Sequence, residues 1–90
     1  MLSRMAHAKE LETRRAAASA LRHTGAKSAL APLAYLLNDN DLQVRHEAIV
    51  GLAEITGDLE WGPNLDLFQS QEQQYLKHWC DWASANGLSI

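Results

Sequence analysis

Apolar residues recur at intervals of three and four positions in two stretches of the chain, 11–21 and 42–55. In the second stretch they are Leu42, Val44, Ala48, Ile49, Leu52 and Ile55. At about 100° per residue, these positions lie within roughly 80° of Leu52 around a helix axis. Gly25 and Gly57 follow the two stretches, and glycine readily ends a helix because it tolerates the left-handed conformation. The pattern predicts two amphipathic helices.

The two stretches are copies of one another at an offset of 31 residues. The identical pairs are Leu11/Leu42, Arg14/Arg45, Ala17/Ala48 and Leu21/Leu52, and small residues align at Ala20/Gly51. Because the repeated positions lie on the apolar face, they predict equivalent helices in successive structural units.

Residues 26–37 read as a third helix between these two, with Pro32 either in its first turn or at a kink. The run 38–41 (Asn-Asp-Asn-Asp) predicts a turn, since these side chains bond nearby backbone and can cap the next helix. Upstream, Leu2, Met5 and Ala6 align with Leu33, Leu36 and Leu37. We therefore expect residues 1–25 to form an incomplete first repeat and residues 26–57 a second.

The last third of the chain has a different pattern. Residues 58–69 are predicted to be an irregular connection, because they carry the turn-forming residues Gly62, Pro63, Asn64 and Asp66. Ser70 and Gln73 match a capping box, which predicts a final helix within 70–87. Its apolar stripe is aromatic and comprises Tyr75, Leu76, Trp79, Trp82 and Ala83.

Composition supports one all-α domain, 1–90. Ala and Leu supply 28 of the 90 residues, whereas Val and Ile supply 5, a balance that favours helix. The single cysteine, Cys80, excludes an internal disulfide and suits a reducing compartment. No apolar run approaches the roughly 20 residues that span a bilayer, so we expect a cytoplasmic protein without membrane contact.

The stretch Gly25–Gly57 resembles a HEAT repeat of the short, phycobilisome-lyase type. The resemblance is carried by Pro32 in the first helix, Asp39 in the turn, and then Val44-Arg45-x-x-Ala48-x-x-Gly51-Leu52-x-x-Ile55. It implies an all-α fold: a short α-solenoid of HEAT-like helical hairpins, with an aromatic C-terminal capping helix. It also implies that Asp39 and Arg45 join in a ladder of buried, charge-assisted bonds along the solenoid.

The position of Arg45 on the apolar face of its helix also predicts that it has a partner. Arg45 lies about 20° from the centre of the apolar arc, where an unpaired guanidinium would cost several kcal/mol, so a carboxylate must meet it. Arg14 is its counterpart in the first unit, but Ala8 stands where the acid would be. Arg14 must therefore take either Asp39 across the repeat boundary or Glu10 one turn back, and the sequence leaves both open.

No catalytic or metal-binding constellation emerges from the sequence. His46-Glu47 begins a zinc-protease motif, but Val50 stands where the second histidine is needed. His78 and Cys80 point to opposite sides of a helix, and no nucleophile signature or phosphate loop is present. We predict no enzyme activity, no cofactor and no metal. The basic residues near the N-terminus are set against a net charge of −3, so nucleic acid is not expected either.

The resemblance implies instead a binding module whose second helices line the surface that meets a protein partner. Candidate contact residues are Arg15, Ser19, Arg22, His46, Glu47, Val50 and Glu54. Val50 falls on the polar face, either as an ordinary exposed apolar residue or as a contact. We expect a homodimer, or a higher oligomer, that buries the N-terminal helix face. The alternative is a fragment or accessory of a larger HEAT-like enzyme, such as a bilin-lyase-type protein.

Overall fold

A computed structural model of the chain describes residues 9–88. Over that range the chain forms helices and no β-strand. Two short 3₁₀ turns, Lys27–Ala29 and Leu59–Trp61, link some of the helices. The helices are α1 (Leu11–Thr24), α2 (Leu30–Leu36), α3 (Leu42–Thr56), α4 (Leu65–Ser70) and α5 (Glu72–Ala85). The predicted all-α fold is confirmed.

Helices α1 and α3, the two copies found in the sequence, pack side by side along their length. They run in the same direction, because Arg15 meets Asp41 near both starts and Arg22 meets Glu54 near both ends. A small residue is required where they cross: a Cβ on Gly51 would lie 3.3 Å from the Cα of Arg22. The predicted helix ends are confirmed, since Gly25 and Gly57 have φ values of 63° and 82°.

Helix α2 packs against both neighbours and buries Leu33 and Leu36 completely. Pro32 is its third residue, so the ring lies in the first turn, where backbone N–H groups have no partner within the helix. The turn after α2 starts α3, because the Asp41 side chain accepts a hydrogen bond of 3.0 Å from the Val44 N–H. Helices α2 and α3 thus form one antiparallel hairpin against α1.

The predicted irregular connection, 58–69, is wrong in its second half. Asn64 accepts a hydrogen bond of 2.8 Å from the Leu67 N–H and caps α4, whose Phe68 is completely buried. Ser70 consequently lies in the last turn of α4, where its hydroxyl donates to the Leu67 carbonyl at 3.0 Å. The capping box at Ser70 is therefore not formed, and α5 begins at Glu72 with no side-chain cap.

Helix α5 continues the 31-residue periodicity at its buried positions. Tyr75, Trp79 and Ala83 are all buried and stand 31 residues after Val44, Ala48 and Leu52, which are buried in α3. The predicted aromatic stripe is thus real, and the Trp79 indole N–H also donates to the Trp61 carbonyl at 2.9 Å. Helix α5 thus follows α3 in the same register, with the aromatic rings of Tyr75 and Trp79 at the positions of Val44 and Ala48.

The prediction that Leu2, Met5 and Ala6 belong to an incomplete first hairpin falls on residues 1–8, outside the described residues. The same is true of the N-terminal face expected to be buried in a homodimer.

Candidate functional site

The carboxylate of Asp39 binds Arg14 across the boundary between the two repeats. Its Oδ2 accepts from Arg14 Nε at 2.7 Å, and its Oδ1 accepts from the Asp41 N–H at 3.0 Å. Only 7% of the Asp39 side chain and 16% of the Arg14 side chain are exposed. Of the two partners that the sequence left open for Arg14, the structure has Asp39.

Arg45 has different partners from the one predicted. Its Nη1 donates to the backbone carbonyl of Asp39 at 2.9 Å, while its Nε lies 2.9 Å from a carboxylate oxygen of Glu72. That second contact is an ion pair rather than a hydrogen bond, because the N–H is not directed at the oxygen. The predicted side-chain pair of Asp39 with Arg45 is corrected for a simple reason: the carboxylate faces α1 and is occupied there.

A groove opens on the surface formed by the second helices, with a volume of about 320 Å³. It lies between α1, α3 and the start of α4. Its lining residues are Arg15, Ser19, Gln43, His46, Glu47 and Leu65. Four of them belong to the predicted contact set. The other two were missed: Gln43 lies one helical turn before Glu47, a signal present in the sequence, whereas Leu65 is brought in by α4.

Arg15, which lines the groove, is held by a two-point ion pair with Asp41. Arg15 donates from Nε and Nη2 to the two carboxylate oxygens of Asp41, at 3.1 and 3.0 Å. The hydrogen bond from Arg15 is the largest cause that lowers the pKa of the Asp41 carboxyl from its ordinary value, helped by the bond from the Val44 N–H. Asp41 thus anchors the arginine and the start of α3 together.

Arg22, near the C-terminal end of α1, contacts two carboxylates of α3. Its Nε donates to Glu54 at 3.0 Å, and its Nη1 lies 3.4 and 3.3 Å from the two oxygens of Glu47. The bond to Glu54 is the largest cause that raises the pKa of the Arg22 guanidinium. The contacts to Glu47 are longer and come from one nitrogen, so this carboxylate is held less firmly than that of Asp41.

His46 forms a wall of the groove and is held by the segment before α4. Its Nε2 lies 2.8 Å from the Pro63 carbonyl, which can only accept, so Nε2 carries the proton. Its ring packs on Phe68 with centroids 5.6 Å apart. The imidazole is therefore oriented by residues of the 58–69 segment, for which the sequence predicts an irregular connection.

Val50 is not on the free surface, which corrects its placement among the exposed contact residues. Its exposed fraction is 8%, because the chain turns at Gly62 and lies over α3. A Cβ on Gly62 would be 3.6 Å from the Val50 Cα and 2.7 Å from the Ala53 Cβ. Both readings of Val50 assumed exposure, since a helical wheel takes no account of segments that pack later in the chain.

Residues 9–88 show neither a metal-binding cluster nor a membrane-spanning helix. No group of three or more His, Cys, Asp or Glu side chains in that range is arranged to hold a metal ion. Cys80 is half-buried, and burial raises the pKa of its thiol. None of the helices between residues 9 and 88 is both long and apolar enough to cross a bilayer.

Comparison with known proteins agrees with the repeated hairpins. The family model described as HEAT repeats matches residues 1–81, which extends through most of α5. No curated protein and no solved structure matches the chain. Because the family match covers most of the sequence and the helices repeat in the same register, the chain belongs to the HEAT repeat family.

Proposed function

We propose that this protein is an interaction module or scaffold that binds a protein partner through the groove of its second-helix surface and performs no catalysis. The observation that carries the proposal is the groove itself, an opening of about 320 Å³ with residues from two repeats and from α4 in its lining. HEAT repeats generally act as scaffolds for protein interactions, and stacked repeats present extended binding surfaces.

The lining of the groove is held in place before any partner arrives. Arg15 is fixed by Asp41, His46 by the Pro63 carbonyl, and Glu47 is contacted by Arg22. A preorganised surface loses less side-chain entropy on binding, so more of the contact energy appears as affinity. The dimensions suit one or two side chains inserted from a partner surface.

The test is capture from the cells that make the protein, with one variant that blocks the groove. Gln43 is exposed and lines the groove, so Gln43→Trp fills it without disturbing the core. Ala31 is exposed on α2, in the first-helix layer, and Ala31→Trp is the matched control. A protein bound by the parent and by Ala31→Trp, but lost with Gln43→Trp, supports the proposal. Equal capture by all three contradicts it.

We also propose that the chain acts in the cytoplasm, a reducing compartment that suits its single cysteine. We propose further that it self-associates, because Leu2, Met5 and Ala6 align with apolar positions of the second repeat. Sedimentation velocity on the purified chain should give the mass of a dimer. A monomer at all accessible concentrations would refute self-association and leave the groove proposal intact.

A further inference from the structure

The charges around the groove do not balance. Three carboxylates, from Asp41, Glu47 and Glu54, face two guanidinium groups, from Arg15 and Arg22. Glu12 adds a further negative charge near Arg15. The hydrogen bond to Asp41 is the largest cause that raises the pKa of the Arg15 guanidinium, and the charge of Glu12 raises it further. His46 directs its Nε2 proton at the Pro63 carbonyl rather than at any of these carboxylates.

Of the three paired carboxylates, Glu47 has the weakest contacts. Arg15 and Asp41 satisfy one another at 3.0 and 3.1 Å, and Asp41 is further bound by the Val44 N–H. Arg22 gives its shortest bond, 3.0 Å, to Glu54. Glu47 is left with contacts of 3.3 and 3.4 Å to one nitrogen, although each carboxylate oxygen has two acceptor sites.

Of the three carboxylates, Glu47 is the one that a ligand can reach inside the groove, where Arg15 also forms part of the lining. It lines the cavity next to His46 and Leu65, and 28% of its side chain is exposed. Glu54, with 45% exposed, is not among the residues that line the groove. A cation that enters can therefore bind Glu47 while its aliphatic stem covers Leu65, the way arginine and lysine side chains pack on apolar surface.

We propose that the groove binds an arginine or lysine side chain of the protein partner, with its charged head on Glu47 and its stem along Leu65. This inference rests on the proposed function and specifies the chemistry of the partner. A basic side chain reduces the negative excess of the second-helix surface, and charge-assisted bonds to a carboxylate are about twice as strong as neutral ones. An acidic partner side chain would add a further carboxylate to the same surface.

The experiment is an amide NMR titration of the purified chain with two capped tripeptides, acetyl-Leu-Arg-Leu-amide and acetyl-Leu-Glu-Leu-amide, at roughly millimolar concentration. We expect the arginine peptide to shift the signals of Ser19, Gln43, Glu47 and Leu65, and the glutamate peptide to leave them in place. In Glu47→Gln the affinity for the arginine peptide should fall about tenfold. The same peptide should bind Glu60→Gln, a charge-matched control outside the groove, as it binds the parent.

Three results would overturn the inference: equal groove shifts with the glutamate peptide, unchanged affinity in Glu47→Gln, or no groove shifts with the arginine peptide. None of them decides the proposed function, which the Gln43→Trp capture experiment tests by steric block. Loss of the partner from Gln43→Trp together with a groove that ignores the arginine peptide would keep the docking surface and reject its basic ligand.

Discussion

The guanidinium of Arg14 and the carboxylate of Asp39 meet at 2.7 Å although 25 residues separate them. The bond joins α1 to the turn that precedes α3, so it sets the spacing of the two copied helices as well as the shape of the turn. Asp39 simultaneously accepts from the Asp41 N–H and offers its own carbonyl to Arg45. One turn residue therefore connects α1, α2 and α3.

This pairing predicts which arginine depends on Asp39. Replacing Asp39 with Ala should lower the free energy of unfolding by about 2–4 kcal/mol, because it leaves the largely buried Arg14 without its carboxylate. A double-mutant cycle by urea denaturation should give a coupling of about 1 kcal/mol or more between Asp39→Ala and Arg14→Met.

The matched cycle uses Arg45→Met, which removes a group bound to the backbone carbonyl of Asp39 rather than to its side chain. We expect near-additive effects there. Coupling that is larger with Arg45 than with Arg14 would restore the pairing suggested by the sequence and contradict the structure.

The ion pair between Arg45 and Glu72 predicts that an electrostatic attraction holds α3 and the start of α5 together. Only 17% of the Arg45 side chain is exposed, so Glu72→Gln should cost about 1 kcal/mol of stability through the lost attraction. Thermal melts of Glu72→Gln and of Glu60→Gln, an exposed acid outside this pair, provide the comparison. Identical melts would mean that the ion pair contributes nothing.

Acid should weaken the link between Arg15 and Asp41. The pKa of Asp41 is lowered on folding, so its ionised form stabilises the fold above the ordinary value of 3.8, and the contribution is lost as the pH falls below it. Asn remains a good helix cap, so Asp41→Asn removes the charge while keeping the start of α3. The stability difference between parent and variant, from urea denaturation, should be constant near neutral pH and should shrink below about pH 4. A stability difference between parent and variant that grows as the pH falls would contradict this prediction.

The approach of Gly62 to Ala53 predicts a sensitive contact over α3. A methyl group at Gly62 would lie 2.7 Å from the Ala53 Cβ, a rigid atom that cannot rotate away. Gly62→Ala should therefore cost about 1–3 kcal/mol by overpacking. Adding Ala53→Gly makes room, and the double variant should be less destabilised than the sum of the single changes. Strict additivity would show that the segment does not pack as described.

The sequence was sufficient for the two copied helices, and the reasons are local. The apolar stripe from Leu42 to Ile55 needs no other part of the chain to be recognised, and Gly25 and Gly57 mark the helix ends by their own backbone freedom. The turn at 38–41 is likewise readable from side chains that bond neighbouring backbone.

Contacts between distant segments could not be predicted from such local patterns. Ser70 fits a capping box, but Asn64 starts a helix earlier and the serine becomes part of its last turn. Val50 lies on the polar side of α3 and is buried only because Gly62 crosses it. The same segment orients His46 and supplies Leu65, so the groove could be placed on the right helices but not completed from the sequence.

Photocrosslinking tests most directly whether the second-helix groove is where a protein partner docks. A benzophenone side chain would be placed at position 43, inside the groove, or at position 31, on the first-helix layer, and the protein would be irradiated in the cells that make it. A discrete protein adduct from position 43 that is absent from position 31 is the predicted result. An adduct from position 31 alone, or none from position 43, would contradict the docking surface described above.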